Sequence, residues 1–84
     1  MRRIRQPEVN PFSALSDREL GVLRALAEGA SNARLADLLS ISVKTVKSHI
    51  GNILSKLHLS DRTEAVAFAW RNGLMDDARQ TSEH

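Results

Sequence analysis

The chain has no cysteine and no tyrosine, and only two prolines, four glycines and three aromatic residues in 84 positions. Without cysteine there is no disulfide framework and no thiolate metal site, which fits a reducing compartment. With Phe12, Phe68 and Trp70 as the only aromatics, the core falls to Leu, Ile, Val and Ala, side chains suited to helices packed closely on helices. No apolar run approaches the roughly 20 residues that span a bilayer, so no membrane partner is expected. The basic start from Met1 to Pro7 leads into no apolar stretch and does not read as a secretory signal; the expectation is a cytoplasmic protein. There is no nucleophile–base pair, no paired carboxylates and no glycine-rich phosphate loop, so the chain does not read as an enzyme and no catalytic residue is assigned. His49, His58 and His84 lack metal-ligand spacing, and neither a metal nor a cofactor is expected.

What is present is enough for one small domain. Hydrophobic residues make up 42% of the chain, which supports a single compact core of modest stability. Residues 1–14, with Pro7, Pro11 and the arginines Arg2, Arg3 and Arg5, read as an irregular basic arm or linker; residues 15–74 as the folded unit; and residues 75–84 as a polar tail. Within 15–74 start signals place four helices, an all-α fold. Ser16 and Glu19 have capping-box spacing, Ser31 and Ser42 precede the second and third patterns, and Ser60 is expected to cap the fourth with Asp61 at its positive end. Gly29 supplies a left-handed stop to the first.

Net charge is only +2, but its distribution is uneven. No carboxylate lies between Asp37 and Asp61, while that segment holds Lys44, Lys47, Lys56, His49 and His58. A local cationic field of this kind attracts polyanions, although an ordinary solvated helix face has the same composition. The third helix, about residues 43–57, divides cleanly. Val46, Ile50, Ile53, Leu54 and Leu57 fall on one stripe at ~100° per residue, and Lys44, Lys47, Ser48, Gly51 and Ser55 fall opposite. A basic outer face of short or flexible side chains suits approach to base edges in a major groove. Between the second and third patterns lies only Ser40-Ile41-Ser42, matching the turn of about three to four residues in a helix-turn-helix. Ala36 is small where the two helices approach, and Ile41 and Val46 are placed to pack them together.

The residues then become more specific. Leu15-Ser16-Asp17-Arg18-Glu19, Val22-Leu23, Ala27-Glu28-Gly29, Ser31-Asn32 and Leu35-Ala36, followed by Ile41-Ser42, Lys44-Thr45-Val46-Lys47, His49, Asn52-Ile53, Lys56-Leu57, Arg62-Thr63 and Ala65, resemble a LuxR-type (GerE-type) helix-turn-helix domain, as in NarL/FixJ-like response regulators. The resemblance covers about residues 15–74. It implies a bacterial transcription regulator that binds duplex DNA, with the third helix in the major groove and a homodimer formed through the fourth. It also implies a possible tie to an upstream receiver or sensor domain, or to RNA polymerase. Matched position by position, it implies base contacts from Lys44, Lys47 and Ser48 and phosphate contacts from Ser31, Asn32, Thr45 and His49. The chemistry agrees, since lysines donate to guanine O6 and N7 and short hydroxyls and amides suit phosphate oxygens.

The sequence departs from that pattern at four places. Gly21 stands where a second glutamate is usual, Arg34 where a glutamate is usual, Gly51 where some relatives carry a longer polar residue, and His58 where glycine is frequent. Gly51 implies one base contact fewer, or one made through water. Bland roles compete at several positions: Lys44, Lys47 and Thr45 as solvated surface, His49 as a packing residue, and Arg62 as a strut tying the fourth helix to an acid such as Glu19 or Asp37. On the fourth helix Thr63, Val66, Ala67, Trp70 and Leu74 form one strip, read as a dimer interface, with Trp70 folding back over the core as the alternative. A second functional class is a protein-interaction module on the same fold that has lost DNA binding, to which Gly51 and the small net charge would also belong.

Overall fold

A computed structural model describes residues 10–75. Four helices follow in order: α1 (Asp17–Ala27), α2 (Asn32–Leu39), α3 (Val43–Leu57) and α4 (Arg62–Arg71). The fold is all-α. Packing of α1 on α3 and α4, and of α2 on α3, makes α3 the shared element of the helix-turn-helix and the core. No helix among the described residues is long and apolar enough to cross a membrane.

Each helix begins where a side-chain oxygen meets an orphan amide. Ser16 Oγ accepts from Glu19 N at 3.1 Å while Glu19 Oε1 accepts from Ser16 N at 2.9 Å, completing the capping box. Ser31 Oγ and Ser42 Oγ accept from Arg34 N and Thr45 N at 3.1 and 3.0 Å. At α4 the cap is Asp61, not the expected Ser60: Asp61 Oδ1 accepts from Glu64 N at 2.9 Å, and Glu64 Oε1 reaches back to Ser60 N at 2.7 Å. A carboxylate there answers both the free amide and the positive helix end, where a hydroxyl answers only the amide.

The first three helices end alike. Gly29, Ser40 and His58 adopt left-handed φ values of 97°, 57° and 58°. The next amide in each case bonds five residues back, Ala30 to Ala25, Ile41 to Ala36 and Leu59 to Leu54, at 3.0, 3.0 and 2.9 Å. These are Schellman endings, and the residue after each reversal is apolar and packs on the core. Thus α2 and α3 are separated by only residues 40–42, with Ile41 turned inward and Ser42 already capping the next helix.

The core holds Val22, Leu23, Leu26, Leu35, Val46, Ile53, Ala65 and Ala69, each at most 2% exposed. It reaches past the expected 15–74 boundaries at both ends. Phe12 is buried and meets Phe68 edge to face, with ring centroids 5.5 Å apart, and Met75 is buried too. Asn10 Oδ1 accepts from Phe12 N at 2.8 Å and fixes that entry turn. In a domain poor in aromatics, one more ring adds more to the core than it would as part of a linker. The arm residues Arg2, Arg3 and Arg5 and the tail 76–84 lie outside the described residues.

Candidate nucleic-acid interface

The two faces of α3 separate as its periodicity requires. Val46 and Ile53 are fully buried, and Ile50, Leu54 and Leu57 pack against the core from the same side. Lys44, Lys47, Ser48, Gly51 and Ser55 are exposed. A Cβ added at Gly51 would meet nothing within 4 Å, so this surface is open rather than filled by a neighbour.

Not every cation of the acid-free segment faces outward. Lys56 Nζ lies 2.8 Å from Glu19 Oε1, and the Glu19 side chain is 8% exposed against 42% for Lys56. This pair ties the start of α1 to the last turn of α3. The Lys56 hydrogen bond, and after it the backbone amide of Ser16, hold the Glu19 carboxyl below its ordinary value of 4.5 against the upward pull of burial. Glu19 is therefore spoken for by Lys56, and Arg62 does not reach the acid expected of it. Instead Arg62 Nη1 donates to Asn32 Oδ1 at 2.6 Å and Nη2 donates to the Ala30 carbonyl. Lys44 and Lys47 make no ion pair among the described residues.

The phosphate candidates sit at two helix starts. Ser31 and Asn32 open α2, and Thr45 lies in the first turn of α3, its hydroxyl 2.9 Å from Ser42 Oγ. Ser31 Oγ uses its acceptor side on Arg34 N, which leaves its O–H free to donate. His49 is half-buried on the flank of α3.

On α4, Thr63 and Ala67 are exposed and Val66 is half-buried. With Arg62, Leu26, Ala27 and Gly29 they line a groove of about 430 Å³ between α1 and α4. Trp70 is 49% exposed, yet its Nε1 donates to Ala27 O at 3.0 Å, filling one of the free carbonyls at the end of α1. One edge of the ring is therefore anchored and the rest is open. Leu74 does not belong to that strip. It is 3% exposed and part of the core, because α4 stops at Arg71 and Gly73 turns the chain at φ 78°.

A short turn between a supporting helix and a helix with a basic, carboxylate-free outer face defines the helix-turn-helix class of DNA-binding transcription regulators, which are not enzymes. The chain belongs to the luxR family of bacterial regulatory proteins, whose GerE model matches residues 13–69. It is similar to the transcriptional regulatory protein LiaR of Bacillus subtilis (strain 168), with 50% identity over 66 residues, covering 79% of this chain and 31% of that protein. It is also similar to the response regulator protein VraR of Staphylococcus aureus (strain Mu3 / ATCC 700698), with 40% identity over 75 residues, covering 89% of this chain and 36% of VraR. The chain thus spans about a third of the length of these relatives.

Proposed function

We propose that this domain binds specific duplex sites as a dimer, with α3 in the major groove and α4 against α4 of a second copy. Lys44, Lys47 and Ser48 contact base edges, and Ser31, Asn32, Thr45 and His49 contact phosphates. Thr63, Val66, Ala67 and Trp70 form the pairing surface. The observation that carries this reading is the division of α3: a core-packed stripe, with Val46 and Ile53 fully buried, fixes its orientation, and the opposite face presents two lysines with no ion-pair partner among the described residues. The open groove beside Thr63, Val66 and Ala67 favours pairing through α4. Two of the similar proteins bear the names transcriptional regulatory protein and response regulator, which supports the role of output domain under an upstream receiver.

Fluorescence anisotropy on a labelled duplex, selected from a random pool, tests the reading. Lys47→Ala is expected to cost ~1–3 kcal/mol of binding and to relax discrimination at one position. Wild-type affinity is expected to fall steeply with salt as counterions are released. Equal affinity for wild type and Lys47→Ala would remove Lys47 from the reading surface.

A further inference from the structure

We infer that Arg62 is a positioning residue for DNA binding: it holds the Asn32 carboxamide by its oxygen and so turns the amide NH2 outward as a donor to a backbone phosphate. This rests on the proposal above that the start of α2 meets the DNA backbone.

A guanidinium carries donors only, and a carboxamide carries an acceptor at one end and a donor at the other. Arg62 Nη1 lies 2.6 Å from Asn32, so the atom facing it must be Oδ1; the reversed amide would set donor against donor. The second leg of the fork goes to the Ala30 carbonyl, in a turn fixed by the Ala30 to Ala25 backbone bond. Two legs from one planar group define the position of the amide as one leg would not. Asn32 Nδ2 has no partner among the described residues and is not among the enclosed polar atoms. Phosphate oxygens only accept, so Nδ2 is the end of the amide they require. Ser31 beside it likewise has its acceptor engaged by Arg34 N and its O–H available. Arg62 and Asn32 are the first residues of α4 and α2, so the clamp also joins the start of the pairing helix to the start of a DNA-facing one.

Asn32→Asp separates positioning from simple support. Aspartate keeps an acceptor for Arg62, now charge-assisted, and adds a negative group at a helix start, so the thermal midpoint is expected to stay at or above that of wild type. The outward group changes from donor to acceptor and meets phosphate with like charge. Affinity for the selected duplex is expected to fall at least ~10-fold. Arg62→Met is expected to weaken binding in the wild-type background and to have no further effect on affinity in an Asn32→Ala background. Asn32→Asp binding within about twofold of wild type, or melting clearly below it, overturns the inference. Lys47→Ala on the same duplex keeps the two proposals apart. If it weakens binding while Asn32→Asp does not, only the Arg62 inference fails; if neither variant changes affinity, the proposed DNA-binding surface fails and takes this inference with it.

Discussion

Removing either partner of the Glu19–Lys56 pair should destabilise the domain, and the two losses should differ. The Glu19 side chain is 8% exposed, whereas Lys56 is 42% exposed. Lys56→Met strands a buried carboxylate whose one remaining partner of note is the Ser16 amide. Breaking a fully buried pair in this way costs ~3–5 kcal/mol. Water reaches this pair from the Lys56 side, so about 2 kcal/mol is the expected loss. Glu19→Gln is milder. Its amide oxygen still accepts from Ser16 N, the freed ammonium returns to solvent, and the loss is about 0.5–1 kcal/mol. In urea, with a slope near ~1 kcal/mol/M for so small a domain, the helical signal should shift its midpoint by about 2 M for Lys56→Met and by less than ~1 M for Glu19→Gln. If Glu19→Gln costs as much as Lys56→Met at neutral pH, the assignment of the buried cost to the carboxylate is wrong.

Acid gives the same pair a second readout. The folded-state value of Glu19 is depressed, so its contribution is fully present above the ordinary 4.5 and is lost as pH falls through the lowered value. Wild type should therefore lose its advantage over Glu19→Gln below that point, and the two stability curves should converge. Lys56→Met should leave the salt slope of DNA binding unchanged, because a lysine held by Glu19 releases no phosphate counterion.

Gly21→Ala should stabilise the domain by up to ~1 kcal/mol, raising the thermal midpoint by about 4–8 °C, since the added Cβ meets nothing within 4 Å in the middle of α1. On α4, Ala67→Glu should leave the monomer's midpoint nearly unchanged but weaken self-association at least ~10-fold in sedimentation, by setting like charges across the proposed pairing surface. Leu74→Ala should do the reverse, costing ~2–4 kcal/mol of folding as a buried side chain with no direct part in pairing.

Much of the fold was legible because helix starts and stops are local chemistry. Ser16, Ser31, Ser42 and Gly29 act within a few residues of themselves, and the stripe of α3 needs only a period. The misplaced cap of α4 had a local signal too: Asp61 stands three residues before Glu64, the capping-box spacing that Ser60 lacks. Leu74 was misplaced for a different reason. A helical strip extends only as far as the helix, and the turn at Asn72-Gly73 breaks the period before Leu74 is reached. Phe12 was masked by Pro7, Pro11 and the arginines around it, although its spacing to Leu15 and the scarcity of rings pointed inward. The partners of Lys56 and Arg62 were out of reach of any local pattern, being 37 and 30 residues away.

Those two long-range ties change how the charge of the chain bears on its function. By sequence, Lys56 adds to the cationic stretch and Arg62 looks for an acid. In the structure Lys56 takes the acid and Arg62 takes two neutral oxygens. A guanidinium fork needs acceptors in a plane, which an amide and a carbonyl supply as well as a carboxylate does, without neutralising it. The formal net charge of +2 is thus a poor guide to the binding surface. What matters is which cations remain without an ion-pair partner among the described residues, and on α3 those are Lys44 and Lys47. Lys56 fixes α3 to α1, and Arg62 fixes α2 to α4, so the helix-turn-helix is held from both sides by charged groups withdrawn from the proposed DNA-facing surface. On the proposed reading the face that remains is small, with Gly51 open on it, and its selectivity would come from the placement of two lysines and a serine rather than from the amount of charge.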